Sequence, residues 1–496
     1  MPHIDTVFQS WANSHPTHVA LRDGRQSVTY GELDGIIDAL VFQLQSAGIR
    51  SGDRVLLVAE NCVPQALLIL AVSRVGAWSA SVNARLSPRE IDNFISHSAA
   101  RRVLYFHQDS PDAQRHATTH DAKAVDWPYI GPLFVGPLNT MCAVEPTEPD
   151  VAALVYTSGT TGASKAVMLT HTNLLFIAAN SHRVRRLVPA DIIYGVLPLS
   201  HVYGLSALLL AALVSGAQLH LVPRFRPEHL AAALADEGIT VLHGAPAMYA
   251  KLLALGDQLR APSLRVAQSG GAPLTQSVKE NFEHRFGVVL HNGYGMTEAA
   301  PSICQTRSES PRTDCSVGPP IDGIEVRLDG AQTHPDGVGE LQLRGPNVMA
   351  GYYKAPALTA QVITPDGWLC TGDLARFEAD GVVTIVGRSK ELIIRSGFNV
   401  YPVEVEQVLN AHPDIVQSAV IGRAIADNEE VLAFVEMRAG ASLDQTAMQQ
   451  YLKANLSPYK VPAQVIALAT LPSAASGKIL KRELHLFAEA QVPHGE

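Results

Sequence analysis

The stretch TSGTTGASK, Thr157 to Lys165, follows directly on the apolar run Val151 to Tyr156, and its residue types suit an anion. Gly159 and Gly162 carry no Cβ, so backbone N–H groups around them can turn inward, and Ser158, Thr160 and Thr161 add hydroxyl donors. Read alone, the loop is either a phosphate cradle leaving a buried strand or a polar turn. It is not the standard phosphate loop, whose glycine is followed at once by Lys-Ser/Thr opening a helix, because two residues separate Gly162 from Lys165.

Three later groups favour a nucleotide. The run Asn292, Gly293, Tyr294, Gly295, Met296, Thr297, Glu298 ends a strand-like segment. It offers a flat ring for stacking a base, an amide for an exocyclic amine, and a carboxylate able to hold Mg²⁺ beside phosphates. Asp373, in the triplet Thr371-Gly372-Asp373, suits ribose hydroxyls, and Arg388 after VVTIV can reinforce that contact. Lys478 lies in SGKILKREL, on a glycine-containing loop that opens a basic helix.

The elements that must position these groups alternate between short apolar β runs and helical periods, which predicts an α/β fold with sheets covered on both faces. Expected strands include Arg102 to Phe106, Ile192 to Leu197, Ala217 to Val222, Thr240 to His243 and Val288 to Asn292, and Leu205 to Val214 reads as a buried helix. Residues 109 to 149 are rich in His, Pro and polar side chains and read as a surface connection or small irregular section. After Asp314, short strands and turns predict a small β-rich layer. From there GRSKELIIRSG leads into a final α+β portion with βαβ texture. The expected division is a large N-terminal domain, 1–389, and a smaller mobile C-terminal domain, 390–496, with the hinge at Ser389 to Glu391.

The chain has 496 residues, 47% hydrophobic and 17% charged, more than one core usually supports. Its formal net charge of -9, without any basic and aromatic interleaving, argues against nucleic acid and for a small soluble ligand. The five cysteines are scattered and form no CxxC pair, so neither a disulfide framework nor a zinc site is suggested. No apolar run reaches the ~18 residues of a membrane span and the N-terminus has no signal-peptide pattern, so a cytoplasmic protein is expected. Oligomeric state is not written in the sequence.

These blocks, in this order, resemble the AMP-forming acyl-CoA synthetases of the adenylate-forming (ANL) superfamily, which includes firefly luciferase and the adenylation domains of nonribosomal peptide synthetases. The resemblance runs from SVTYGELD through TSGTTGASK to SGKILKREL. It implies an acid–CoA ligase using ATP, Mg²⁺ and coenzyme A: a carboxylate attacks the α-phosphate to give an acyl-adenylate and pyrophosphate, and a thiol then displaces AMP. A stand-alone ligase loading a carrier-protein pantetheine arm shares every one of these motifs.

By resemblance, Lys478 is the adenylation lysine, Glu298 and Thr161 ligate Mg²⁺, and Thr157, Ser158, Gly159, Thr160, Thr161, Gly162 and Lys165 line the phosphates. Gly270, Gly271 and Ala272 pack on one face of adenine and Tyr294 on the other. Asn292 lies near the amine, Gly293, Gly295, Met296 and Thr297 continue the wall, and Asp373 with Arg388 holds the ribose. His201, Val202, Tyr203, Gly204 and Gly293 mark the acyl pocket, with His201 at the carboxylate. Lys390 is the hinge residue, and Ser396, Gly397 and Phe398 line the thiol path. Glu404 and Glu406 read as exposed helix positions. The pocket candidates are mainly apolar, which favours an aromatic or aliphatic acid; a dicarboxylate would require a buried arginine, and none is identifiable, Arg224 and Arg226 being read as solvent-facing. Two departures from the family loop, Ser164 for proline and Ala166 for glycine, predict weaker loop ordering and a higher ATP KM.

Overall fold

Aliphatic runs with both faces covered set the two large sheets. In the computed structural model, which describes residues 2–108, 110–145, 150–157, 165–331, 337–396, 398–425, 428–438, 440–473 and 479–490, strand Arg54–Ala59 is buried at every position. It lies in an eight-stranded sheet whose order is Gly351–Tyr352, Lys165–Thr170, Val151–Thr157, Trp78–Asn83, Arg54–Ala59, Arg102–Tyr105, Gly131–Val135, Lys123–Trp127. The middle four run parallel and the outer pairs antiparallel.

The other eight-stranded sheet runs Ser302–Gln305, Leu290–Gly295, Val266–Ser269, Val241–Gly244, Ile192–Gly195, Gln218–Leu221, Val19–Arg22, Ser27–Thr29. After Ile192–Gly195 the chain goes first to one neighbour, Gln218–Leu221, and then to the other, Val241–Gly244, so the winding reverses at this strand. Open parallel sheets bind ligands at the carboxyl ends of their strands beside such a reversal. The acyl block Pro198–Gly204 starts three residues after Gly195.

Helix His171–Arg185 covers this region and starts from a reciprocal cap: Asn173 N–H donates to Thr170 Oγ1 at 3.1 Å and Thr170 N–H to Asn173 Oδ1 at 2.9 Å. Asn173 Nδ2 also donates to the carbonyls of Pro346 and Val348, at 2.7 and 2.9 Å, fixing the chain that carries the Glu298 surroundings. The predicted buried helix at 205–214 is a π-helical turn, Leu205–Leu210, continuing into Ala211–Ser215, and residues Leu205 to Leu213 are all buried.

The expected β-rich layer is a four-stranded antiparallel sheet, Glu325–Asp329, Gly339–Arg344, Leu369–Phe377, Val383–Arg388. The expectation of an irregular section at 109–149 is corrected. Its described part holds helix Pro111–Thr119 and the hairpin Lys123–Trp127/Gly131–Val135, which extends the sheet edge. The hairpin lies at an edge, its strands are only five residues long, and Gly131–Val135 opens Gly-Pro, which breaks the strand signal of its apolar residues.

The smaller C-terminal portion has its own apolar clusters, one around Val405, Leu409, Val420, Val435 and Leu452 and another around Ile421, Phe434 and Leu484. Strands Ile415–Ile425, Asn428–Met437 and Gln464–Leu468 form its sheet, and helix Gln445–Asn455 makes the parallel crossover between the last two. Among the described residues no helix is long and apolar enough to cross a membrane.

Candidate active site

Three motifs far apart in sequence meet at one carboxylate. Strand Leu290–Gly295 carries Tyr294 to the edge of the β-layer, where Asp373 and Arg388 are register partners. Arg388 Nε lies 2.9 Å from Asp373 Oδ1, and the Tyr294 hydroxyl donates to Asp373 Oδ2. The TGD turn fixes this carboxylate: Asp373 N–H donates to Thr371 Oγ1 at 3.0 Å, and Thr371 Oγ1 donates to the Leu341 carbonyl at 2.7 Å. Gly372, at φ +72°, takes the left-handed turn that permits it. Burial, then the neighbouring Asp373 charge, push the Tyr294 phenol well above its usual range, so it remains a donor.

Gly270 follows strand Val266–Ser269, and a Cβ there would lie 3.1 Å from Cε1 of Tyr203, so this turn and the acyl block are in contact. Gly204 is also sterically required, since its Cβ would fall 2.2 Å from the Pro198 carbonyl. His201 starts the short helix Val202–Gly204, and its Nδ1 accepts from Tyr203 N–H at 3.2 Å. A neutral ring with Nδ1 so engaged carries its proton on Nε2. Ala272 and Met296 are half-buried, Thr297 is buried, and Met296 N–H donates to the Pro301 carbonyl at 3.0 Å.

At the other end, Glu298 Oε1 accepts from the Tyr352 hydroxyl at 2.7 Å, and the Lys165 ammonium sits 5.0 Å from the centroid of the same ring. Tyr352 links two groups that the sequence named separately and was itself missed; its signal is the aromatic pair in GYYKAP. Thr157 and Lys165 are register partners in an antiparallel strand pair, so Lys165 begins a strand and not the helix of a standard phosphate loop. Ser158, Gly159, Thr160, Thr161 and Gly162 lie outside the described residues, as do Gly397 and Lys478.

Several expectations change. Ala166 is buried in strand Lys165–Thr170, paired with Tyr156 and accepting from Tyr353 N–H at 2.8 Å, so glycine is not needed there and the substitution adds no strain. Asn292 donates through Nδ2 to the Cys315 carbonyl at 2.8 Å and accepts Gly293 N–H at 3.0 Å, which leaves a ligand amine only the second lone pair of Oδ1. Glu406 is no exposed helix position: it is 8% exposed, accepts from Val420 N–H at 2.8 Å, and lies 2.9 Å from Lys481 Nζ. Its helix packs against strand Ile415–Ile425, and the heptad-like pattern of PVEVEQVLN does not separate a buried glutamate from a surface one. Glu404 is half-buried and pairs with Lys460 at 2.7 Å.

The sequence also offered no buried arginine near the acyl block, and the structure contains one. Arg185, last residue of helix His171–Arg185, is 3% exposed. Its Nη2 reaches Gln305 Oε1 at 3.4 Å, and Nε and Nη1 have no hydrogen-bond partner among the described residues. A buried guanidinium without a counter-charge costs on the order of several kcal/mol. Arg224, read as solvent-facing, is half-buried and pairs through Nε and Nη2 with the buried carboxylate of Glu60 and with Asp112, so its charge is already matched.

On the C-terminal side, Lys390 is exposed in the single turn Ser389–Glu391, and Arg388 immediately precedes it. Ser396 has φ +53° and donates its N–H to Asn428 Oδ1 at 2.7 Å; Phe398 is 55% exposed and stacks on Tyr459 at 4.7 Å.

Comparison with known proteins gives the family. The family model described as AMP-binding enzyme matches residues 8–353, and the one described as AMP-binding enzyme C-terminal domain matches residues 404–478. The chain is 34% identical over 473 residues to the sulfoacetate–CoA ligase of Cupriavidus necator, covering 93% of each protein. It is 34% identical over 487 residues to a feruloyl-CoA synthase of Amycolatopsis, covering 95% of this chain and 96% of the relative. The structure of o-succinylbenzoate CoA synthetase from Bacillus subtilis with its acyl-adenylate intermediate aligns at a TM-score of 0.81 and 26% identity, covering 99% of both chains. The chain belongs to the AMP-binding enzyme family, and within it to the acid–CoA ligases that work through an acyl-adenylate.

Proposed function

We propose that the groove between the first sheet, the β-layer and the acyl block is where ATP and a carboxylic acid are joined, and that residues 1–389 and 390–496 act as two domains about Lys390. The observation that carries this is the convergence of Tyr294 and Arg388 on the one fixed carboxylate of Asp373, Tyr294 standing on the strand that pairs with the one leading into the Gly270 turn. Asp373 receives the ribose hydroxyls, and the Tyr294 ring and the Gly270–Ala272 turn enclose the base. The acid's carboxylate oxygen attacks the α-phosphorus; the bond to the bridging oxygen breaks and pyrophosphate leaves. Charge develops on the α-phosphate in that step, so donors and cations fixed beforehand lower the barrier.

Lys478 supplies one such charge, and Nε2–H of His201 faces the acid's carboxyl. Glu298 fits Mg²⁺ as a hard oxygen donor whose Oε1 is already oriented by Tyr352, with Thr161 as its partner. When bound, the ion offsets phosphate charge. In the second step a thiol attacks the acyl carbon and AMP departs. Ser396, Gly397 and Phe398 line the path of the thiol, and a turn about the exposed Lys390 exchanges Lys478 for this loop. Coenzyme A is the proposed acceptor and the cytoplasm the proposed location. The relatives named above act on acids as different as sulfoacetate and ferulate, so the names alone do not choose the acid.

The test is product analysis with a panel of acids, ATP, Mg²⁺ and either coenzyme A or a pantetheine-loaded carrier protein. Acid-dependent AMP and pyrophosphate, with thioester on coenzyme A, is the expected result. ADP and phosphate in their place would refute the reading, and thioester confined to the carrier protein would replace the acceptor.

A further inference from the structure

Arg54 and Arg185 are both nearly fully buried, at 1% and 3% exposure, yet their surroundings differ in kind. Arg54 spends its guanidinium on the carbonyls of Ser98, Gly52 and Ala143, at 3.1, 3.1 and 2.6 Å, and has Glu145 at 3.5 Å. That is a structural arginine. Arg185 has one long contact, to Gln305, and no ion pair among the described residues.

The groups around Arg185 do not supply its counter-charge. The side chains that act most on its charge besides burial are the phenols of Tyr203 and Tyr249. Burial pushes Tyr203 up to about 12 and Tyr249 well above the usual phenol range, so both are neutral at pH 7. His243, 1% exposed, has neither ring nitrogen hydrogen-bonded among the described residues, and burial followed by the Arg185 charge keeps it neutral. The Ser269 hydroxyl, fully buried, has no partner among the described residues either. Native interiors satisfy nearly all such groups, so unmet donors gathered beside a substrate pocket are suited to an acceptor on the substrate.

Their position says which ligand. His243 and Ser269 lie at the carboxyl ends of adjacent parallel strands, where Gly244 pairs with Ser269. Tyr203, of the acyl block, lies 5.7 Å from His243 between ring centroids and touches the Gly270 turn. Gln305, the contact of Arg185, lies against Gly293, whose added Cβ would come 3.4 Å from the Gln305 Cβ. The donors therefore adjoin the proposed acyl pocket.

We propose that the acid this enzyme activates carries a second anionic group, a carboxylate or a sulfonate, received by Arg185 with His243 and Ser269 as additional donors. This rests on the acyl-pocket reading given above and makes Arg185 a specificity-determining residue. A guanidinium keeps its charge at any physiological pH and presents paired N–H groups to two oxygens of such an anion. An uncharged chain end would leave it unmatched, and sites built for a polar group reject analogues lacking it.

The test uses acids of matched length in sets of three, ending in methyl, carboxylate or sulfonate, with acid-dependent pyrophosphate release as the readout. One anionic member of a set should exceed its methyl-ended counterpart in kcat/KM by about 100-fold or more. In Arg185→Met the anionic acid should lose about 100-fold, chiefly through KM, while the methyl-ended acid keeps or gains activity; Arg185→Lys should restore part of the loss. If Arg185→Met does not fold, the wild-type comparison decides by itself. Preference for the methyl-ended acid in every set overturns the proposal while leaving the ligase reading intact. Pyrophosphate release with no acid at all removes the ligase reading and this proposal with it.

Discussion

Asp373 shows what a single side chain does here, because its two oxygens are already engaged from opposite sides by Arg388 and Tyr294 and its backbone is pinned by Thr371. Asp373→Ala should raise the ATP KM by about 10- to 100-fold with a smaller effect on the KM of the acid, since the proposed charge-assisted contact to ribose is lost and Arg388 loses its partner. Initial-rate kinetics with each substrate varied in turn checks this; equal effects on both KM values would contradict it. Tyr294, Asp373 and Arg388 were legible because ring, carboxylate and guanidinium stand in motifs whose context is unusual. Arg185 was not. In HRVRRL it reads as one more cation at a helix C-terminus, where cations are ordinary, and only the three-dimensional path separates the buried Arg185 from the exposed Arg186 next to it.

At the level of elements, the strand ends carry the proposed site, and glycines set how closely they approach. Gly295 pairs with Ser302 across two antiparallel strands, and a Cβ on it would lie 2.0 Å from the Pro301 carbonyl. Backbone atoms must move to relieve that contact, so Gly295→Ala should destabilise the protein by more than about 3 kcal/mol or prevent folding. Thermal or urea unfolding measures it, and a variant within about 0.5 kcal/mol of wild type would show that the strands separate easily. Strands Arg54–Ala59, Arg102–Tyr105, Ile192–Gly195 and Val241–Gly244 were visible as apolar-rich runs of four to six residues, whereas Trp78–Asn83, reading WSASVN, was not. The edge hairpin at 123–135 was missed because its strands are short and one opens with Gly-Pro, and Glu406 was misplaced because only packing against Ile415–Ile425 buries it.

Across the whole molecule, buried neutral histidines tie stability to pH. His291 is 7% exposed, with Nδ1 3.2 Å from Thr306 Oγ1, and burial followed by Lys279 and Arg185 lowers its pKa to about 4. The unfolded chain binds this proton near pH 6.5 and the folded chain only near 4. Its contribution is therefore complete above pH 6.5 and is lost as pH falls toward 4, amounting to on the order of 2–3 kcal/mol. His243 acts in the same direction. His291→Gln should flatten the fall in melting temperature between pH 6.5 and 4; curves that stay parallel to wild type would contradict the assignment.

The larger portion and the C-terminal portion meet at the Ser389–Glu391 turn, where Lys481 lies 2.8 Å from Glu391 and 2.9 Å from Glu406. This cluster ties the turn proposed as the hinge to the start of the last helix, three residues beyond Lys478 in sequence. The most direct measurement separates the two half-reactions in Lys478→Ala. Acid-dependent pyrophosphate formation should fall by about 100-fold or more, while thioester formation from supplied acyl-adenylate and coenzyme A stays within about fivefold of wild type. Equal losses in both half-reactions, or adenylation left intact, would contradict the division of labour on which the account rests.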